Sequence, residues 1–371
     1  MNYPTSQEAG WAEFLARFHI DLWLTLLLIA TTTLGLLVVY SASGHSLPMT
    51  INQLERFGLG LFVMAVCAQF PPEFYRRLAP WLYLGTLFLL MLVPVIGEHS
   101  KGATRWLDFK VFRFQPSEIM KLAMPLAVAA FLHRRALPPR PSTMAIALTL
   151  IVMPTALVAV QPDLGTALLI IVAGVFALFF GGLGWRWIGG GIVAVAAIAP
   201  LAWYKMHDYQ RQRVLTFLDP EQDPLGAGYH ITQSKIAIGS GGLFGKGWLQ
   251  GTQAKLDFLP ESHTDFIFAV YSEELGLLGI LLLLSLYLAI VGRGLIIALR
   301  GQDTFQRLLA GSIALTFFFY MFVNMGMVIG LLPVVGVPLP LVSYGGTSMV
   351  TLLTGFGLLM SIQTHRKLIS N

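Results

Sequence analysis

Residues 256–279 read LDFLPESHTDFIFAVYSEELGLLG, and the fold is decided by what changes inside them. The stretch begins as a polar loop with Pro260, Glu261, His263 and Thr264. At Asp265 it turns apolar and stays so for about 27 residues, to Val291. A helix needs roughly 20 such residues to cross about 30 Å of hydrocarbon. Asp265 therefore stands where an aqueous loop enters a membrane helix, and Glu273 and Glu274 lie within that helix. A carboxylate at the bilayer centre costs about 2.5–3.5 kcal/mol on insertion scales, so acids in such positions are functional candidates.

The rest of the chain has the same character. Of 371 residues, 56% are hydrophobic and 12% charged, against about 25% charged in soluble domains. Hydropathy predicts an all-α polytopic integral membrane protein with about ten transmembrane helices, near 22–40, 56–71, 79–97, 117–133, 143–160, 166–184, 187–204, 265–291, 307–330 and 341–362. The chain reads as one transmembrane domain, 1–371, with one large extracytoplasmic loop at about 205–264. Its polar start lacks the basic head and short apolar core of a cleavable signal, so the first helix reads as a retained anchor. Cys67 is the only cysteine, which leaves no intramolecular disulfide or cysteine metal cluster. No nucleic-acid partner is expected.

Ten spans put both termini on one side. A cytoplasmic N-terminus gathers 12 basic residues inside, among them Arg76, Arg134, Arg135, Arg140, Arg186, Arg293, Arg300 and Arg307. Outside, apart from the long loop, there are five: Arg56, Lys101, Arg105, Lys110 and Arg113. Four of these sit in one loop, 98–116, where they either touch lipid head groups or collect a membrane-bound anion. Pro116-Ser117-Glu118 then predicts a helix start, with Lys121 three residues after Glu118 and on the same face. Lys121 either snorkels to the surface or faces an internal polar cavity, and the second reading is preferred.

Gln161-Pro162-Asp163 marks a tight turn with Asp163 as a natural N-cap. Gly189-Gly190-Gly191 lacks the lysine of a phosphate loop and is expected to let helices pack closely. In the long loop, Ile231–Ile238 predicts a short amphipathic helix ended by Gly239-Ser240-Gly241-Gly242. Arg211, Arg213, Gln233 and Lys235 are its candidate substrate contacts. The last outer loop, GLLPVVGVPLPLVSYGG over 330–346, breaks the helical pattern between two spans and contains Ser343. Non-helical backbone at membrane depth is tolerated where it lines a cavity. No HExxH pattern or carboxylate cluster predicts a tight metal site.

These motifs resemble one family. RWLDFKVFRFQPSEIMK, QPDLGTALL, RVLTFLDPEQDPLGAGYHITQSKIAIGSGGLFGKGW, LPESHTDFIFAVYSEELGLLG and PVVGVPLPLVSYGGTS, spread over 105–348, look like the SEDS family of shape, elongation, division and sporulation proteins, on its rod-elongation branch. The resemblance implies a peptidoglycan glycosyltransferase that polymerises lipid II on the outer face of the bacterial cytoplasmic (inner) membrane and releases undecaprenyl pyrophosphate. It implies a class B penicillin-binding protein as partner, the transpeptidase of the elongation machinery. It places the family's catalytic aspartate on Asp265 and the QPSE–K pair on Glu118 and Lys121.

Such a transfer joins a sugar hydroxyl to an anomeric carbon with inversion. It needs a base and charge stabilisation of the leaving group, not the paired carboxylates of a glycosidase. Asp265 is the expected base. Lys121, Arg105 and either Arg211 or Arg213 are expected to hold the pyrophosphate, and Glu118, His263, Thr264 and Ser343 complete the candidate site. No cofactor is required by this scheme. A divalent cation, magnesium or manganese, bridging Asp265 to the phosphates is an alternative role for the same residue. A lipid II flippase and a non-catalytic scaffold for the penicillin-binding protein are the competing functions. Extrapolated along a continuous helix, Glu273 and Glu274 fall about 12 Å deeper than Asp265, with Lys121 as one candidate partner for Glu273.

Overall fold

Hydrocarbon offers a peptide group no water to bond, so a chain this apolar must satisfy its backbone internally, as helices. The computed structural model describes residues 18–100, 103–108, 113–206, 208–219, 226–255, 259 and 261–365. Lys101, Lys110, the 220–225 part of the acidic loop, Pro260, Arg366 and Lys367 lie outside the described residues.

The described residues include ten apolar helices: α1 (Leu22–Ala42), α2 (Leu47–Gln69), α3 (Pro72–Ile96), α4 (Pro116–His133), α5 (Pro141–Val160), α6 (Leu164–Phe180), α7 (Trp185–Lys205), α11 (Ile267–Leu299), α12 (Thr304–Ile329) and α13 (Thr347–Thr364). Seven of them, all but α4, α6 and α7, are long and apolar enough to cross a membrane. The long outer loop contributes α8 (Asp208–Leu218), α9 (Ala227–Gly241) and the one-turn α10 (Thr252–Lys255). The helix predicted at 231–238 is thus α9, packed on α11 and α12.

Side-chain caps place several helix starts. Asp21, Ser46, Asp163 and Asp303 accept the backbone N–H three residues on, from Leu24, Met49, Thr166 and Gln306. The cap at Ser46 starts α2 nine residues before the predicted 56, so the polar Gln53 and Arg56 belong to the helix rather than to a loop. A three-stranded antiparallel sheet was not foreseen. Its strands are β1 (Glu98–Ser100), β2 (Ala103–Asp108) and β3 (Arg113–Phe114), and they fold the basic loop over the outer end of α3 and α4.

Ion pairs close the opposite, arginine-rich end. Arg293 donates to Asp21 and Arg76 to Asp303, the latter at 3.3 Å. The His19 and His365 rings, near the two ends of the chain, stack at 3.8 Å. The first and last helices of the described residues therefore meet at one end of the bundle. Glycines let α2 and α13 touch: a Cβ on Gly60 would stand 2.4 Å from Leu353 Cδ1, and one on Gly357 2.6 Å from the Met64 carbonyl. The triple glycine of α7 does not serve this purpose. Nothing lies within 4 Å of a Cβ built on Gly189, Gly190 or Gly191, because α7 is exposed along its length rather than packed into the bundle.

The helix carrying Glu273 and Glu274 is not continuous. Gly276 has φ 62° and ψ −161°, which divides α11 into an outer segment, 267–275, and a membrane segment, 277–299. The loop after α9 is spliced into the gap. Lys246 N and Gly247 N donate to the Glu273 and Glu274 carbonyls at 3.0 Å each, and Leu277 N and Leu278 N donate to the Gly242 and Leu243 carbonyls at 2.9 and 3.1 Å. The fully buried Glu273 carboxylate accepts from Lys246 Nζ at 2.6 Å, Thr252 Oγ1 at 2.8 Å and Thr252 N at 2.9 Å. Glu274 accepts from Ser41 Oγ of α1. The expected Lys121 partner for Glu273 is thus replaced by Lys246, because the break brings the outer loop down to the carboxylate.

Replacing Glu273 by alanine should strand these buried donors, at about 1–3 kcal/mol. Thermal melts should drop, and limited proteolysis should newly cut within 242–253. An unaltered cleavage pattern would contradict the splice.

Candidate active site

The outer loop 330–346 dips into the bundle. A Cβ on Gly35 in α1 would stand 2.7 Å from Val342 Cα, so no side chain fits between them. This irregular backbone finds side-chain partners at four points, Val337, Leu339, Pro340 and Ser343. Asn324 Nδ2 of α12 donates to the Val337 carbonyl at 2.7 Å, Ser343 Oγ accepts from Leu339 N at 2.7 Å, Tyr287 OH donates to the Pro340 carbonyl at 2.6 Å, and Gln53 Nε2 donates to the Ser343 carbonyl at 3.0 Å.

The same residues hold the junction that carries Asp265. Asn324 Nδ2 also donates to the Asp265 carbonyl at 2.9 Å, Ser343 Oγ donates to the Thr264 carbonyl at 2.6 Å, and Tyr344 N donates to the His263 carbonyl at 2.9 Å. His263, Thr264 and Ser343 thus form the seam between two loops, with the Thr264 hydroxyl turned to Glu261 Oε2 at 2.8 Å. Asp265 itself is half-buried, in the turn just before α11. Its Oδ2 would be 3.6 Å from a Cβ on Gly336, whose φ of 73° favours glycine. The carboxylate therefore faces a bare stretch of backbone.

Gly336 belongs to the wall of an outer cavity of about 350 Å³. Arg56, Arg105, Gln115, Glu118, Lys121, Asp163, Tyr320 and Tyr344 line it too. Lys121 Nζ donates to Glu118 Oε1 at 2.7 Å and to the Tyr320 hydroxyl; Glu118 and Lys121 are only 6% and 7% exposed. Among the described residues Glu118 Oε2 finds no hydrogen-bond partner. Lys121 therefore faces the internal polar cavity rather than the surface. Asp163 caps α6 and also accepts from Gln115 Nε2 at 3.0 Å. Arg105 of β2 donates to the Gln161 and Pro162 carbonyls, which fixes it over the same turn.

A second, apolar groove of about 1080 Å³ runs from this cavity down α2, α3, α4 and α13 to Cys67, Tyr75 and Leu358. Arg56, Trp106, Glu118, Gly346 and Thr347 line both spaces, so the two join there.

Glu118, Lys121 and Arg105 therefore line one cavity, and Asp265, not itself among the lining residues, stands against one of them, Gly336. The other candidates are placed elsewhere. Arg211 donates to the Trp203 and Tyr204 carbonyls at 2.9 Å each and so terminates α7. Lys235 lies against Gly330, at the C-terminus of α12. Arg211, Arg213, Gln233 and Lys235 are not among the described lining residues of either space. Arg56, Gln115, Tyr320, Asn324 and Tyr344 were not singled out by sequence. Their types are ordinary, and only the fold collects them. Among the described residues no group of three or more His, Cys, Asp or Glu could cage a metal. A magnesium or manganese ion at Asp265 would take its remaining ligands from substrate and water.

With this geometry in place, the chain can be set beside known proteins. Residues 21–368 match the profile of the FtsW/RodA/SpoVE cell cycle protein family. The chain is 57% identical over 358 residues to the peptidoglycan glycosyltransferase MrdB of Escherichia coli, covering 96% of this chain and 97% of that one. It is 38% identical over 360 residues to a probable peptidoglycan glycosyltransferase FtsW of Geobacter metallireducens, covering 94% and 95%. Among solved structures, a chain of a peptidoglycan synthase complex that coordinates polymerization and crosslinking superposes with TM-score 0.82 at 32% identity, over 94% of this chain and 99% of that one. The rod shape determining protein RodA of Thermus thermophilus superposes with TM-score 0.71 at 30% identity, over 94% and 98%.

Lys121→Met should cost about 3–5 kcal/mol by leaving the buried Glu118 charge without its partner. Adding Glu118→Gln should restore most of that loss. Denaturation of the two variants in one detergent checks it, and a single variant as stable as its parent would contradict the pair.

Proposed function

The chain belongs to the FtsW/RodA/SpoVE family, and we propose that it polymerises lipid II at the outer end of the bundle with Asp265 as the base. It is a peptidoglycan glycosyltransferase of the RodA kind. The observation that carries the site is the position of Asp265, which faces the bare backbone of Gly336 at the wall of a cavity lined by Arg56, Arg105 and Lys121.

The chemistry follows from this arrangement. The acceptor sugar hydroxyl gives its proton to an Asp265 oxygen as its own oxygen bonds the donor's anomeric carbon. The bond from that carbon to the pyrophosphate breaks, and the carbon inverts. Undecaprenyl pyrophosphate leaves with its developing charge met by Arg105 and Lys121, fixed cations that need no reorganisation at the moment of reaction. The apolar groove gives the polyprenyl chain a place beside the cavity, so the lipid need not leave the bilayer. Below Arg56 and Glu118 the described lining of the groove carries no charged side chain to pass a sugar pyrophosphate inward, which favours polymerisation over flipping.

Two further parts of the reading concern setting. The protein spans the membrane several times, and the bacterial cytoplasmic membrane is the one where lipid II is presented to it. Its partner is a class B penicillin-binding protein that crosslinks the new strand. The related chain solved within a synthase complex supports that pairing.

General-base catalysis is commonly worth about 10²–10⁴-fold. Asp265→Asn should therefore lose at least about a hundredfold in polymer yield while melting at the parent temperature. Purified protein with its partner and labelled lipid II is the test. Parent-like polymer would remove Asp265 from its role.

A further inference from the structure

The end of the bundle opposite the candidate active site has a cavity of its own. Two loops meet there, 134–140 between α4 and α5, and 181–184 between α6 and α7. The first is held to this end by His133, whose Nε2 lies 2.9 Å from Arg76 Nη1, the nitrogen that also pairs with Asp303. The loops touch at Gly182, where φ is 86° and a Cβ would stand 3.3 Å from Pro138 Cβ. A cavity of about 400 Å³ opens between them. Pro138, Pro139 and Met144 line it from the first loop and α5, and Trp185, Arg186 and Trp187 from the start of α7.

The charge around this cavity is of one sign. Arg134, Arg135, Arg140 and Arg186 are all exposed. Among the described residues no carboxylate pairs with any of the four. None is near them in the chain either, because there is no Asp or Glu from 119 to 162 or from 164 to 207. Elsewhere at this end acids answer the arginines, Asp21 for Arg293 and Asp303 for Arg76. The lack of acids therefore marks this patch and not the whole end.

The apolar surroundings say what kind of anion fits. Trp185 is 84% exposed at the foot of α7, and tryptophan in such a place sits at the level of lipid head groups. Further along α7, Ile192, Val193, Val195 and Ile198 are 58–71% exposed. A helix bare on all sides in a bilayer is surrounded by acyl chains, and their head groups stand at its foot. We propose that this cavity binds the head group of an anionic phospholipid, with phosphate between Arg140 and Arg186 and acyl chains along α7. Cations on both loops suit a head group with two phosphates, as in diphosphatidylglycerol. The lipid fastens the foot of a helix that the protein itself leaves unpacked. The leaflet is the cytoplasmic one, on the reading that the arginine-rich end faces inward.

The test reads binding. Full-length protein in phosphatidylcholine nanodiscs is titrated with diphosphatidylglycerol carrying brominated chains, which quench nearby tryptophan fluorescence. Quenching should saturate at a low mole fraction. Arg140→Gln with Arg186→Gln should raise the midpoint about ten- to thirtyfold, from the worth of an arginine near an anionic surface. Arg300→Gln, an exposed arginine of another loop at the same end, should shift it less than twofold. An unchanged midpoint in the double variant overturns the proposal. So does an equal shift for Arg300→Gln, which would reduce the site to a diffuse field. Brominated phosphatidylethanolamine should quench without saturating, and saturation at the same midpoint overturns the role of charge. Polyglutamate displacing the lipid more effectively than unbrominated diphosphatidylglycerol would make the cavity a docking site for an acidic protein segment, and overturns it too. If the arginine double variant does not fold, Trp185→Phe with Trp187→Phe serves instead. Saturable quenching should then disappear, and its persistence overturns the proposal. None of these outcomes depends on whether Asp265 is the base, which the polymer assay decides.

Discussion

One side-chain amide joins the two loops of the candidate site. Asn324 Nδ2 donates to the carbonyls of Asp265 and Val337, and so ties the loop-to-helix junction to the loop that dips into the bundle. The requirement behind it is general. An unbonded peptide group at membrane depth costs several kcal/mol, so irregular backbone survives there only with partners supplied from elsewhere. Ser343, Gln53 and Tyr287 supply the others to the 330–346 loop. At the Gly276 break the same requirement is met by backbone of the outer loop, with the Glu273 carboxylate gathering Lys246 and Thr252. Asp265 lies between these two repairs. The helix that follows it is fixed at both ends, and a fixed carboxylate is what proton transfer at a set distance needs.

The charges divide along similar lines. Buried ions tolerate low dielectric only when paired, and the Glu118–Lys121 pair meets that condition while facing the cavity. Such a pair satisfies itself without demanding a ligand. Arg56 has no carboxylate partner among the described residues, only an aromatic ring and a glycine to orient it.

Much of this was legible in the sequence, and the failures have physical causes. Hydropathy located all ten apolar helices, because hydrocarbon thickness dictates length. It missed the start of α2, where Ser46 caps a polar turn that scores as loop. Asp265, Glu118, Lys121 and Arg105 stood out as charges beside apolar runs, the one context in which a single residue type is informative. The partner of Glu273 was missed because the break at Gly276 lets the outer loop reach the carboxylate, and a glycine inside an apolar run does not announce a break. Arg211 was drawn to the substrate by charge alone, whereas in the fold it serves the carbonyls that end α7. Arg56 was counted only toward topology. Its place at the cavity depends on Tyr344 and Gly346, nearly 300 residues away in the chain, a proximity no local pattern encodes.

The central claim is spatial: the acceptor hydroxyl meets Asp265 at the outer cavity while the polyprenyl chain lies in the groove between α2, α3, α4 and α13. The most direct measurement is a structure of the Asp265→Asn protein with lipid II bound. The account predicts a sugar hydroxyl within roughly 3.2 Å of the residue 265 side chain, the reach of a general base, with phosphate density at the cavity–groove seam. A sugar bound at the opposite end, among Arg76 and Arg293, would contradict it.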